Sequence, residues 1–199
     1  MAALADALGP WLYVVLFAVI FCETGLVVTP FLPGDSLLFA AGALAASPAS
    51  GLSVFVLYVC LLIAVICGDN VNYWAGHRIG RRVFRPDARI LKTEYLHRTE
   101  AFYEKYGGRA VVFARFIPIV RTYAPFVAGA SRMPYPRFLA FSLAGSFTWI
   151  TLFLFTGYFF GNLPVVKENF GVVILAIIFI SVLPAALEIV KHRRAARAA

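Results

Sequence analysis

The first 76 residues of this 199-residue chain contain no lysine or arginine, although 18 basic residues follow from Arg78 onward. A secretory signal peptide needs a positive segment ahead of its apolar run, so the N-terminus is read as retained. Charge is scarce throughout: 14% of residues are charged and 61% apolar. Soluble domains usually carry about 25% and about 45–50%. With a mean hydropathy of +0.82, this much apolar surface calls for lipid as a second solvent. Cysteine is sparse too. Cys22, Cys60 and Cys67 are odd in number, sit in apolar stretches and lack metal-ligand spacing, which argues against a disulfide framework and fits small buried hydrophobes. His77, His97 and His192 lie in polar or basic surroundings and never at ligand spacing, so no metal or cofactor is expected. No Gly/Ser or Pro-rich linker divides the chain, and residues 1–199 read as one integral membrane domain.

What charge there is, is segregated. The basic-free stretch holds four acids, Asp6, Glu23, Asp35 and Asp69, while the whole chain is +8. The basic clusters abut apolar spans, which favours the positive-inside rule over a nucleic-acid tail. Arg78, Arg81, Arg82, Arg85, Arg89, Lys92 and Arg98 form one cluster, and Lys191, Arg193, Arg194 and Arg197 close the chain. Both are expected in the cytoplasm, with the C-terminus there. Leu96, Phe102, Tyr103 and Tyr106 share a face, so the segment at about 77–108 reads as basic and amphipathic, either lying on the inner surface or forming a soluble hairpin tip.

A helix needs about 20 apolar residues to cross the hydrocarbon. Trp11–Val28, Leu52–Trp74, Phe138–Phe160 and Val172–Val190 satisfy that. Two further apolar stretches, 27–46 and 110–130, are interrupted by Pro30, Pro33, Gly34 and Asp35 and by Arg115, Pro118, Arg121 and Pro125. Proline breaks a helix, and irregular backbone survives at membrane depth only inside protein or a watery cavity. Both therefore read as re-entrant hairpins, one opening outside and one inside. Opposed broken segments are the mark of an inverted-repeat transporter with a site at the midplane. That inference rests on pattern, without side-chain identity between the halves.

The residues able to carry chemistry are those charged inside apolar segments. Glu23 lies deep in IFCETGLVV and Asp35 follows two prolines in FLPGDSLLFAAG. A charged side chain at mid-bilayer costs roughly 2.5–3.5 kcal/mol. Burial favours a carboxyl's protonated form, so either acid is placed to hold or pass a proton near neutral pH. Asp35 also suits the N-terminus of a helix over 36–46. Arg115 and Arg121, in ARFIPIVRTYAPFVAG, offer planar forks of donors matched to phosphate or carboxylate. They could instead neutralise the two acids in a static core, but a buried salt bridge is a poor stability device. Pro33, Gly34 and Pro118 shape the backbone around them, and Asn72 and Tyr73, with Asp69, could line a polar vestibule at the inner end of a span or equally serve interfacial hydrogen bonds. Gly76-x3-Gly80 and Gly157-x3-Gly161 read as close helix approaches. No nucleophile has an evident base apart from Ser36 beside Asp35, so an enzyme is not expected.

The stretches ETGLVVTPFLPGDSLLFAAGALA, GDNVNYWAGHRIG, FYEKYGGRAVVFARFIPIVRTYAPFVAG and GYFFGNLPVVKENF resemble the DedA family of membrane proteins, also called SNARE-associated or VTT-domain proteins. The resemblance spans nearly the whole chain. It implies a helical bundle with two opposed re-entrant loops in the bacterial cytoplasmic membrane. It also implies transport of undecaprenyl phosphate across that membrane, dependence on the proton motive force, and relatives in eukaryotes that scramble phospholipids. The family's functional residues fall on Glu23, Asp35, Arg115 and Arg121. The expectation is an all-α polytopic membrane protein that moves an anionic polyprenyl-phosphate or phospholipid substrate with protons as coupling ion. A passive scramblase and a proton or cation antiporter are the alternatives. Its partners are membrane lipids and not nucleic acid, and a homo-oligomer is left open.

Overall fold

The computed structural model describes residues 11–26, 34–80, 97, 100–101, 107–109, 111–112, 115, 117–161, 163–169, 172–173 and 175–176. The helices are α1 (Trp11–Gly25), α2 (Gly34–Ala45), α3 (Val54–Ile79), α4 (Pro118–Ala130), α5 (Tyr135–Phe160) and the short α6 (Pro164–Glu168), and there is no strand among the described residues. α3 and α5 have 26 residues each and are long and apolar enough to cross a membrane. Their outer faces expose Phe55, Val59, Ile63 and Trp74 on α3 and Phe147, Leu152 and Phe159 on α5. An exposed apolar surface of that extent marks contact with lipid or another protein.

Boundaries follow local chemistry. The second interrupted stretch is broken where Pro118 stands, as expected: residue 117 is a bend and Pro118 opens α4, where its missing N–H is needed by no carbonyl. Pro125, expected from the sequence to break the segment, lies inside α4 instead. α3 runs five residues beyond Trp74, through His77 and Arg78 to Ile79, which sets Asp69 about 15 Å from the helix end.

The contacts define how the helices run. Tyr58 bonds Thr151 while Asp69 meets Ser142 and Asn70 meets Tyr135, so α3 and α5 are antiparallel. Tyr13 reaches Ser53 near the start of α1 and Gly25 abuts Gly68 at its end, so α1 runs parallel to α3. α2 packs along α5 and α4 along α3, and both of these pairs are parallel. Asp35 meets Trp149 and Ala43 meets Gly161, whereas Thr122 meets Asn72 and Gly129 lies at Tyr73 and His77.

Each short helix thus lies along the long helix of the other half, and the two crossings share one register. A Cβ on Gly42 would strike the Leu154 carbonyl and Tyr158 N, and one on Gly157 the Phe39 carbonyl. On the other side, a Cβ on Gly129 would strike the Tyr73 carbonyl and His77 N, and one on Gly76 the Phe126 carbonyl. In both, the short helix contributes the same Phe-x-Ala-Gly, Phe39–Gly42 and Phe126–Gly129. The halves therefore do share side-chain identity, contrary to the sequence reading. It was hidden because the matching glycines are offset by 87 residues on the short helices and 81 on the long ones. An exchange of α2 with α4 and of α3 with α5, with direction reversed, is an inverted repeat in geometry. Small residues at such crossings let backbones touch, which drives helix association where lipid removes the hydrophobic incentive.

The turns expected at 27–33, and 110, 113–114 and 116 of the second hairpin, lie outside the described residues. So do most of the basic segment at 77–108, the greater part of the last span 172–190 and the C-terminal tail.

Candidate functional site

The end of α1 and the starts of α2 and α4 converge on one guanidinium. Arg121, in the first turn of α4, donates from Nη1 to Asp35 Oδ1 at 3.0 Å and from Nη2 to Glu23 Oε1 at 2.7 Å. Trp149 of α5 donates from Nε1 to the same Asp35 oxygen at 2.8 Å, and its ring lies 5.8 Å from Arg121 Cζ, within cation–π range. Asp35 stands in the first turn of α2, where a negative charge also meets the helix's free N–H groups. Gly34 is required here for space: a Cβ would run into the Glu23 carboxylate. Glu23 Oε2 is buried without a hydrogen-bond partner.

A second centre is built on α3 and α5. Arg115 Nη2 donates to Asp69 Oδ2 and, at 2.7 Å, to Ser146 Oγ. Ser142 Oγ donates to the same Asp69 oxygen, and Ser146 Oγ donates to the Ser142 carbonyl at 2.7 Å. Ser142 and Ser146 stand one turn apart on α5 and are fully buried; Asp69 and Arg115 are nearly so. Arg115 lies against Gly145, and its Nε is buried with no partner.

The two centres face one cavity of about 20 Å³, lined by Glu23, Asp69, Arg115, Arg121, Thr122 and Trp149. That is room for about one water molecule. Two arginines stand against three carboxylates, so the cluster carries one formal negative charge when all are ionised. Asn72, fully buried, ties the parts together: its Nδ2 donates to the Thr24 carbonyl of α1 at 3.2 Å and the Thr122 carbonyl of α4 at 3.1 Å.

Of the four charged residues singled out from sequence, Glu23, Arg115 and Arg121 line one cavity and Asp35 is tied to it through Arg121 and Trp149, but they do not form a single quartet. Arg115 pairs with Asp69, not with Glu23 or Asp35. Of the supporting residues, Gly34, Pro118 and Asn72 position the site as described. Tyr73 is turned into an aromatic stack on Phe138 and donates to the Met133 carbonyl at 2.5 Å. Pro33 lies outside the described residues. Sequence reasoning underweighted Asp69 and passed over Trp149, Ser142 and Ser146. The signal was present: two serines at i, i+4 in an otherwise apolar span mark an inward polar face.

A helical chain with two membrane-length apolar helices and opposed charges buried around a cavity defines a membrane protein with an ionic interior site. The VTT domain family matches residues 32–159, which include α2 to α4, all but the last residue of α5, and both arginines. The chain is 50% identical to Protein DedA of Escherichia coli (strain K12) over 197 residues, 98% of this chain and 90% of that protein. It is 44% identical over 180 residues to an uncharacterized membrane protein of Mycobacterium tuberculosis (strain CDC 1551 / Oshkosh), covering 90% of this chain and 79% of the relative. Inner membrane protein YqjA of Escherichia coli (strain K12) is 36% identical over 155 residues, 77% of this chain and 70% of its own. No solved structure matches the chain. The chain belongs to the DedA family of VTT-domain membrane proteins.

Proposed function

We propose that the protein is a transporter for a lipid with an anionic head, undecaprenyl phosphate in the first instance, in a bacterial cytoplasmic membrane with its C-terminus on the inner side. The observation that carries this reading is the pair of arginines, Arg115 buried and Arg121 partly so, on and just ahead of a short helix, facing one cavity. Guanidinium forks suit phosphate oxygens, and a low-dielectric cavity strengthens the attraction. The excess of carboxylate supports coupling to protons. An anion entering a cluster of net negative charge is repelled until one carboxylate is neutralised. Glu23 is the acid best placed for this, because its carboxylate lines the cavity while Oε1 keeps Arg121.

The same carboxylate excess favours a second reading, a proton or cation antiporter without a lipid substrate. A passive scramblase for phospholipids stands between the two. Translocation of a fluorescent short-chain polyprenyl phosphate in proteoliposomes, with and without an imposed pH gradient, separates them. The proposal expects transport that the gradient accelerates and that Arg115→Ala abolishes. Transport indifferent to the gradient would favour a scramblase, and proton flux without lipid movement an antiporter.

A further inference from the structure

We propose that Asp69 is a built-in stand-in for the substrate's head group, seated where a lipid phosphate oxygen binds, and that Arg115, Ser142 and Ser146 form that seat. The proposal deepens the anionic-lipid reading above and rests on it.

The two arginines use their donors differently. Arg121 spends both terminal nitrogens on separate carboxylates. Arg115 meets its acid through Nη2 alone, at a single oxygen, Asp69 Oδ2. A guanidinium and a carboxylate pair best through two parallel hydrogen bonds, yet Arg115 Nε is left buried with no partner. A buried donor without an acceptor costs about 1–3 kcal/mol, and a chain has little reason to carry it unless something else accepts from it.

Around Asp69 the donors converge as they would on an oxyanion. Arg115 Nη2 and Ser142 Oγ both donate to Oδ2, while Ser146 Oγ accepts from Nη2 at 2.7 Å and holds the guanidinium against α5. Nη2 also stands 3.5 Å from Ser142 Oγ. Two donors on one oxygen, a free Nε–H beside them and an adjoining cavity suit a tetrahedral phosphate, which can accept from Nη2, Nε and a hydroxyl together, better than they suit a planar carboxylate. Gly145 lets the guanidinium lie close against α5, since a Cβ there would stand only 3.0 Å from Nε. The cavity holds about one water, so a head group enters only as Asp69 withdraws. The carboxylate thereby keeps Arg115 paired when no lipid is bound and competes the phosphate off after translocation.

The test is binding of farnesyl phosphate to purified full-length protein in detergent, with farnesol as the uncharged control. Wild type is expected to prefer the phosphate. Asp69→Asn removes the competitor and is expected to bind farnesyl phosphate about tenfold more tightly, with farnesol unaffected and lipid turnover in proteoliposomes slowed by poor release. Ser142→Ala, which leaves the Asp69–Arg115 pair in place, is expected to weaken farnesyl phosphate severalfold. It also serves if the Asn variant fails to fold. Unchanged or weaker binding in a folded Asp69→Asn variant, or unchanged binding in Ser142→Ala, overturns the assignment of the seat while wild-type preference for the phosphate stands. A wild type that does not distinguish farnesyl phosphate from farnesol overturns the anionic-lipid reading and this inference with it.

Discussion

Arg121 and Arg115 lie six residues apart, line the same cavity, and are held in different ways. Arg121 is closed off: two carboxylates, one from each of two helices, occupy its terminal nitrogens, and Trp149 covers it while bonding one of them. Arg115 is half engaged, with one carboxylate, two serine hydroxyls and an unpartnered Nε. The difference separates two tasks that sequence alone assigns to both. A guanidinium with its hydrogen bonds met fixes the meeting point of α1, α2 and α4. One with donors to spare can exchange partners.

Removing Arg121 is expected to have the largest effect. Arg121→Ala would leave two buried carboxylates facing each other, and breaking a buried pair costs about 3–5 kcal/mol. Thermal unfolding in detergent should show a greater loss for Arg121→Ala than for Arg115→Ala, which strands one acid already bonded by Ser142. Equal losses would erase the distinction between the two arginines. Gly34→Ala is expected to follow, at about 1–3 kcal/mol for overpacking, because its methyl group meets the Glu23 carboxylate. Arg121→Lys keeps the charge but gives up the fork that spans Glu23 and Asp35, and should impair transport in vesicles while the protein still folds. Full transport by the Lys variant would show that charge alone suffices there. Trp149→Phe should be the mildest, about 1 kcal/mol for the lost hydrogen bond to Asp35. Farnesyl phosphate affinity should not change in that variant if the seat lies at Arg115.

Much of the fold was legible because apolar runs report helices directly. Span 52–74 is the core of α3 and span 138–160 nearly the whole of α5; the interrupted stretches contain α2 and α4. Proline misled at one place, since Pro125 lies inside α4 without ending it, whereas the break falls at Pro118 as expected. Membership of the site was half legible. A charge inside an apolar segment is costly wherever it sits, so Glu23, Asp35, Arg115 and Arg121 stood out. Pairing was not legible, because Arg121 and Glu23 are 98 residues apart and Arg115 and Asp69 are 46 apart. Separation in sequence carries no information about which acid reaches which base. Asp69 was read as near the inner end of a span because the apolar run was ended at Trp74, whereas α3 continues through polar His77 and Arg78 to Ile79.

The most direct test of the division between the arginines is a cryo-EM structure of the protein in nanodiscs with a polyprenyl phosphate bound. The account predicts phosphate density beside Arg115 and Ser142, Asp69 withdrawn from its bond to Arg115, and Arg121 still held by Glu23 and Asp35. Phosphate seated on Arg121, with the Asp69–Arg115 pair intact, would contradict it.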